Sequence, residues 1–165
     1  MRVYLPASTS GLRALLDAGE FGPAPMTAFA VTPGLREWYL DDELEDLEYA
    51  AMNEAARASL RLLDADPAAA RRRVVIALDA PDSDVEVRDD LDRGVVRLRS
   101  AVPLSQIASV HVDGAEAEGA VAAAASAIVA ADLGEQAALD RVDDSEGYEL
   151  SWYASQEIAD LLDSL

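Results

Sequence analysis

The chain has no cysteine and no lysine, and only one histidine among its 165 residues. Without cysteine, disulfide frameworks, thiolate metal sites and cysteine nucleophiles are all excluded. All thirteen basic residues are arginine, set against thirty-two acids, for a formal charge of −19. So acidic a field repels phosphate backbones and anionic lipid, which argues against binding nucleic acid or a membrane surface. Long apolar runs are also missing. The weakly polar stretch "GAVAAAASAIVAA", residues 119–131, stops at Asp132, short of the roughly 18 to 20 residues that a bilayer span requires. The N-terminal "MRVYLPASTSG" passes straight from a strand-like run to turn residues, with no secretory progression. A soluble cytoplasmic protein without disulfides is the expectation.

What is present is an ordinary core. At 51% hydrophobic residues the chain suits one domain spanning residues 1–165. "RVYLP" reads as a strand. A helix capped at Ser8, Thr9 or Ser10 follows, with Leu12, Leu15 and Leu16 on one face and Gly19 as its stop. "TAFAV" is a second strand, and Thr32 with Pro33 opens a short helix. A long amphipathic helix then starts near Asp42, whose spacing to Glu45 suits a capping box, and carries Leu44, Leu47, Ala51, Ala55, Ala58 and Leu62 at helical intervals. The continuous apolar run "VVIAL" predicts an interior strand covered on both faces. "VEV" and "VVRLRSAV" form a hairpin and "IASVHVD" another strand. The alanine-rich stretch after Glu116 is helical, and the chain ends with a strand to about Tyr153 and a helix capped near Ser155. Helices interleaved with strands, and a hairpin in mid-chain, predict an α+β fold. It consists of a single mixed β-sheet of about five to seven strands with helices packed on it; the alternative is a Rossmann-like α/β sandwich.

"SVHVD" places Ser109, His111 and Asp113 on one face of a strand. Same-face neighbours lie roughly 6.5 to 7 Å apart, whereas a triad needs its members within hydrogen-bond reach, about 2.6 to 3.2 Å. A working triad is therefore not expected. A contact between His111 and Asp113 remains open to long side chains, and these two are the weak catalytic candidates, with the polar side of a strand as the plainer reading. Asp41, Glu45 and Glu48 have helical spacing for a carboxylate metal site, but no histidine accompanies them, and an acidic helix start accounts for the group. Asp82, Asp84 and Glu86 alternate like calcium ligands but lack the central glycine and terminal glutamate of the known loop. No metal and no cofactor is expected. The strand-to-helix loop "PASTSG" carries neither a Walker pattern nor GxGxxG. Arg71, Arg72 and Arg73 form the one basic cluster, read as a solvent-facing run after a helix end.

Six of the nine aromatics fall in two short segments, Trp38, Tyr39 and Tyr49 in one and Tyr148, Trp152 and Tyr153 in the other. In an alanine-rich chain such rings fill the core, or else they line a groove or an interface. Trp38, Tyr39, Trp152 and Tyr153 are the binding candidates.

The strings "MRVYLP", "AFAVTPGLREWY", "LEYAAMNEAARASLRLL", "SVHVD" and "YELSWYASQEI" resemble a family of small actinobacterial proteins of unknown function. The resemblance extends over most of the chain and carries over no catalytic or binding residue. It implies a cytoplasmic actinobacterial protein, and it favours a GC-rich genome over a saline habitat as the reason lysine is missing. Two functions follow as expectations. The first is a non-catalytic protein-interaction or regulatory module, acting as a homodimer or on a protein partner. The alternative is a small-molecule-binding protein or enzyme with His111 in a pocket. A concave site beside His111 favours the second; an exposed apolar patch or symmetric contact favours the first.

Overall fold

Val74, Val75, Ile76, Ala77 and Leu78 are all buried, so this strand needs cover on both faces, and the sheet grows outward on either side of it. The structure, a computed structural model, describes residues 1–39 and 43–165. In chain order its elements are β1 (Arg2–Ala7), α1 (Thr9–Ala18), β2 (Glu20–Phe21), β3 (Met26–Ala30), α2 (Pro33–Trp38), α3 (Leu44–Ala65), β4 (Val74–Asp79), β5 (Val85–Val87), β6 (Val95–Leu98), β7 (Val102–Pro103), β8 (Ile107–Val112), α4 (Glu118–Asp132), α5 (Gln136–Glu146), β9 (Ser151–Ala154) and α6 (Ile158–Asp163). The main sheet has the order β5-β6-β3-β1-β4-β8-β9, and β2 pairs with β7 in a separate ribbon. Each neighbouring pair of the main sheet is antiparallel. The fold is α+β, with one main sheet carrying the helices.

Alternation along the strands sorts side chains to two faces. Val3, Leu5, Val74, Ile76, Leu78, Val110 and Val112 point to one side, where Leu12 and Leu15 of α1 and Ile158, Leu161 and Leu162 of α6 complete a dry core. Tyr4, Phe29, Val75 and Ala77 point to the other, under Ala51, Ala55 and Ala56 of α3. The alanines of α3 let the helix sit close to the sheet. A third cluster joins the C-terminal half of α3, through Leu60 and Leu63, to Val121 and Ile128 of α4 and Val142 of α5. Across the sheet α3 packs chiefly on β1, β3 and β4. The outer strands β8 and β9 extend beyond that cover.

Local signals explain the element ends. Ser8 caps α1 by accepting the Gly11 N–H, and Gly19 ends it in the left-handed region at φ 76°. Thr32 caps α2 ahead of Pro33, as predicted. Asp42 of the predicted capping pair lies outside the described residues, and Glu43 stands at the N-cap without a side-chain cap. The C-terminal segment forms a strand at 151–154 and then a helix, in the predicted order. One helix, α5, is missing from the sequence reading: its buried residues Ala138, Val142 and Ser145 recur at helical intervals, but only Val142 among them is a large apolar side chain, so the periodic signal is weak. Arg71 is not a solvent-facing residue either. Its guanidinium donates to the carbonyls of Leu63, Asp66 and Ala69, closing the C-terminal end of α3.

Candidate functional site

The site lies where α3 stops covering the sheet. β8 is bulged: Ser109 pairs with Ala77 and Ile107 with Leu78, which leaves Ala108 as the extra residue. Strict alternation would put Ile107 beside Ser109 and His111. The bulge instead sends Ile107 into the α1 side of the core and leaves Ser109 and His111 on the α3 side. His111 stands across from Val75 on β4 and from Trp152 on β9.

Above this floor lies an open cavity of about 310 Å³, lined by Arg2 and Tyr4 of β1, by Glu45, Glu48, Tyr49 and Met52 of α3, and by Ala77, Ser109, His111 and Trp152 of the strands. Ser109 Oγ and His111 Nε2 are 3.1 Å apart, a hydrogen bond whose direction the imidazole tautomer sets. Burial, and then the positive charge of Arg2, push the His111 pKa below its ordinary value, so the ring is neutral at pH 7. Tyr4 Oη donates to Glu48 Oε2 at 2.8 Å; burial first, and this carboxylate second, raise the phenol far above its usual range. Arg2 turns its Nε and Nη2 onto Asp79 at 2.9 and 3.3 Å. Tyr49 and Met52 also border a neighbouring cavity of about 120 Å³ that ends at Arg73, Ser145 and Leu150. There, desolvation and then the charge of Asp143 raise Glu146 above its ordinary value.

Asp113 takes no part in the His111 floor. Its carboxylate accepts the Arg73 backbone N–H, Nε and Nη2, each at 2.8 Å, and both residues are buried. Arg73 Nη2 also donates to the Tyr148 carbonyl at 2.9 Å. The pair thus fastens the start of β4, the end of β8 and the approach to β9. Chemically, Ser109 with a neutral His111 makes a hydroxyl–imidazole pair able to pass a proton. The third member that strand parity offers, Asp113, is committed to Arg73, so this pair is not extended into a triad.

The four aromatic candidates divide. Trp152, 61% exposed, stands on the α3 side, while its neighbour Tyr153 packs on the opposite core. Trp38, also 61% exposed, lies under the Arg93 guanidinium at 3.4 Å from its ring centroid. Tyr39 borders a separate cavity of about 360 Å³ with Tyr49, Asn53 and Arg57. Sequence reasoning placed Tyr49 among the rings that could line a groove without singling it out, and missed Tyr4 and Met52 as cavity residues. The signal was available in α3, where Glu45, Glu48, Tyr49 and Met52 occupy one helical stripe at steps of three, one and three, beside the apolar stripe. Of the carboxylate trio Asp41, Glu45 and Glu48, Asp41 lies outside the described residues. Among the described residues no group of three or more acidic, histidine or cysteine side chains is placed to hold a metal ion, and no helix is long and apolar enough to cross a membrane.

No curated protein and no solved structure matches the chain. A family model does match, over residues 1–162, and the chain therefore belongs to the Family of unknown function (DUF6912).

Proposed function

We propose that the protein binds a small molecule in the cavity between α3 and the β8–β9 edge, with Ser109 and His111 as its polar floor. The observation that supports this best is the convergence of a neutral, hydrogen-bonded imidazole with the rings of Tyr49 and Trp152 in one concave site of about 310 Å³. Ligand sites characteristically join an apolar, aromatic wall to a few placed polar groups, at volumes from roughly 300 Å³ upward. Trp152 and Tyr49 remain 61% and 49% exposed, which leaves their faces available to a ligand.

The interaction-module reading draws on the same exposed rings. It needs Trp38, Tyr39, Trp152 and Tyr153 to act together, and the opposite orientations of Trp152 and Tyr153, with Trp38 stacked on Arg93, favour the cavity instead. Native mass spectrometry of gently purified protein decides between them. A mass increment of small-molecule size, lost in the Trp152→Ala variant, is the expected result. A ligand-free monomer counts against the binding reading, and a ligand-free dimer returns the argument to an interface.

A further inference from the structure

Resting on that small-molecule reading, we propose a ligand class: the His111 cavity takes a small organic ammonium ion, held by the exposed rings of Tyr49 and Trp152, with Tyr4 in the lining, and by the carboxylates of Glu45 and Glu48. The three rings come from β1, α3 and β9 and line one cavity. Aromatic faces carry negative quadrupole charge and attract alkylammonium groups, most strongly where those groups shed water. The hydrogen bond from Tyr4 to Glu48 adds to this, since a phenol that donates to a carboxylate becomes more electron-rich.

The charges around the cavity point the same way. Glu45 and Glu48 stand three residues apart on α3, one turn of the helix, and an anionic ligand would meet both. The cations at the site are held back from an anion, although the charge of Arg2 is still felt at His111. Arg2 is engaged at two nitrogens by Asp79, and His111 is kept neutral by its burial and by Arg2. At longer range, a chain of net charge −19 draws cations toward any concave opening in its surface. The cavity volume is near the lower end for ligand sites, which suits a compact head such as a trimethylammonium group rather than a nucleotide-sized molecule.

The test titrates the 165-residue chain with choline, with its uncharged isostere 3,3-dimethyl-1-butanol, and with the anion 3,3-dimethylbutanoate. The one histidine of the chain makes the His111 imidazole resonance an unambiguous reporter. Choline is expected to shift that resonance saturably, at least ten-fold more tightly than the neutral isostere, with no response to the anion. Trp152→Ala, at an exposed ring, should weaken choline ten-fold or more, and Glu48→Gln should weaken choline while leaving the neutral compound unchanged. Trp38→Ala, away from the cavity, should change nothing. Equal or tighter binding of the neutral or anionic compound overturns the ammonium assignment and leaves the small-molecule reading standing. Silence of His111 toward all three also overturns the assignment, and the mass measurement then judges the broader reading separately.

Discussion

His111 near the end of β8 and Asp113 just past it share one strand parity, two residues apart, and finish in opposite conditions. Asp113 is 1% exposed and saturated by three donors from Arg73. His111 is half-buried at the floor of an open cavity, sharing a hydrogen bond with Ser109. The difference lies in what stands across from each. Asp113 meets the chain entering β4, whose backbone N–H and side chain both reach it, whereas His111 meets the uncovered space beyond α3. A polar residue whose bonding capacity is fully used holds the fold together; one facing a cavity can serve a ligand.

Removing the closed member should have the largest effect. Asp113→Ala strands a buried guanidinium, and breaking such a pair on one side costs about 3 to 5 kcal/mol. Urea denaturation should show that loss. Replacing both partners by apolar residues, Arg73→Met with Asp113→Leu, should recover most of it, because the uncompensated charge is gone. A cost below about 1 kcal/mol for Asp113→Ala would mean that water or a rearranged neighbour satisfies Arg73, and the contrast with His111 would collapse.

Ser59 stands between these two conditions. It is fully buried, and its hydroxyl donates to the Ala7 carbonyl at 2.7 Å while accepting the Val74 N–H at 3.1 Å. It therefore ties α3 to β1 and β4. Ser59→Ala leaves both backbone groups without that partner and should cost about 1 to 3 kcal/mol, read as a lower midpoint with an unchanged denaturant slope. Ser109→Ala, at the open site, should cost less than Ser59→Ala, since the hydroxyl it removes is bonded to a side chain that borders the cavity. Equal losses would place Ser109 among the fold-holding residues.

Much of the framework was legible in the sequence, and the reasons are local. The buried run from Val74, the hairpin after Val85, the stop at Gly19 and the Thr32–Pro33 helix start each depend on backbone preferences or side-chain parity over a few residues. The site was less legible because its walls come from distant segments. Strand parity put Ser109, His111 and Asp113 on one face. Only the pairing of β4 with β8 shows that Arg73, read as a solvent-facing residue, is buried against Asp113. The Ser109 contact with His111 depends on side-chain direction, which residue spacing along a strand does not give. The cavity itself arises from the point at which α3 ceases to cover the sheet, a property of helix placement that no short motif encodes.

The smallest expected effect concerns His111 and pH. Its folded pKa lies below the ordinary value, through burial and then Arg2, so the unfolded chain binds the proton more readily. Folding stability from this group is fully present above about pH 6.5, the unfolded value, and declines as pH falls from there toward the lower folded value. Carboxylates held low by partners, such as Asp132 beside Arg61, lose their contribution only in the more acidic range, below about pH 4. The difference in stability between the protein and His111→Gln, measured from pH 7.5 to 5, therefore isolates the histidine. It should shrink or reverse in sign as pH falls, because only the parent carries the penalty. A difference that grows on acidification would mean that the folded site stabilises the imidazolium, with Glu45 and Glu48 outweighing Arg2 and burial. The site would then hold its own cation, and an ammonium ligand would lose the vacancy in charge on which its binding depends.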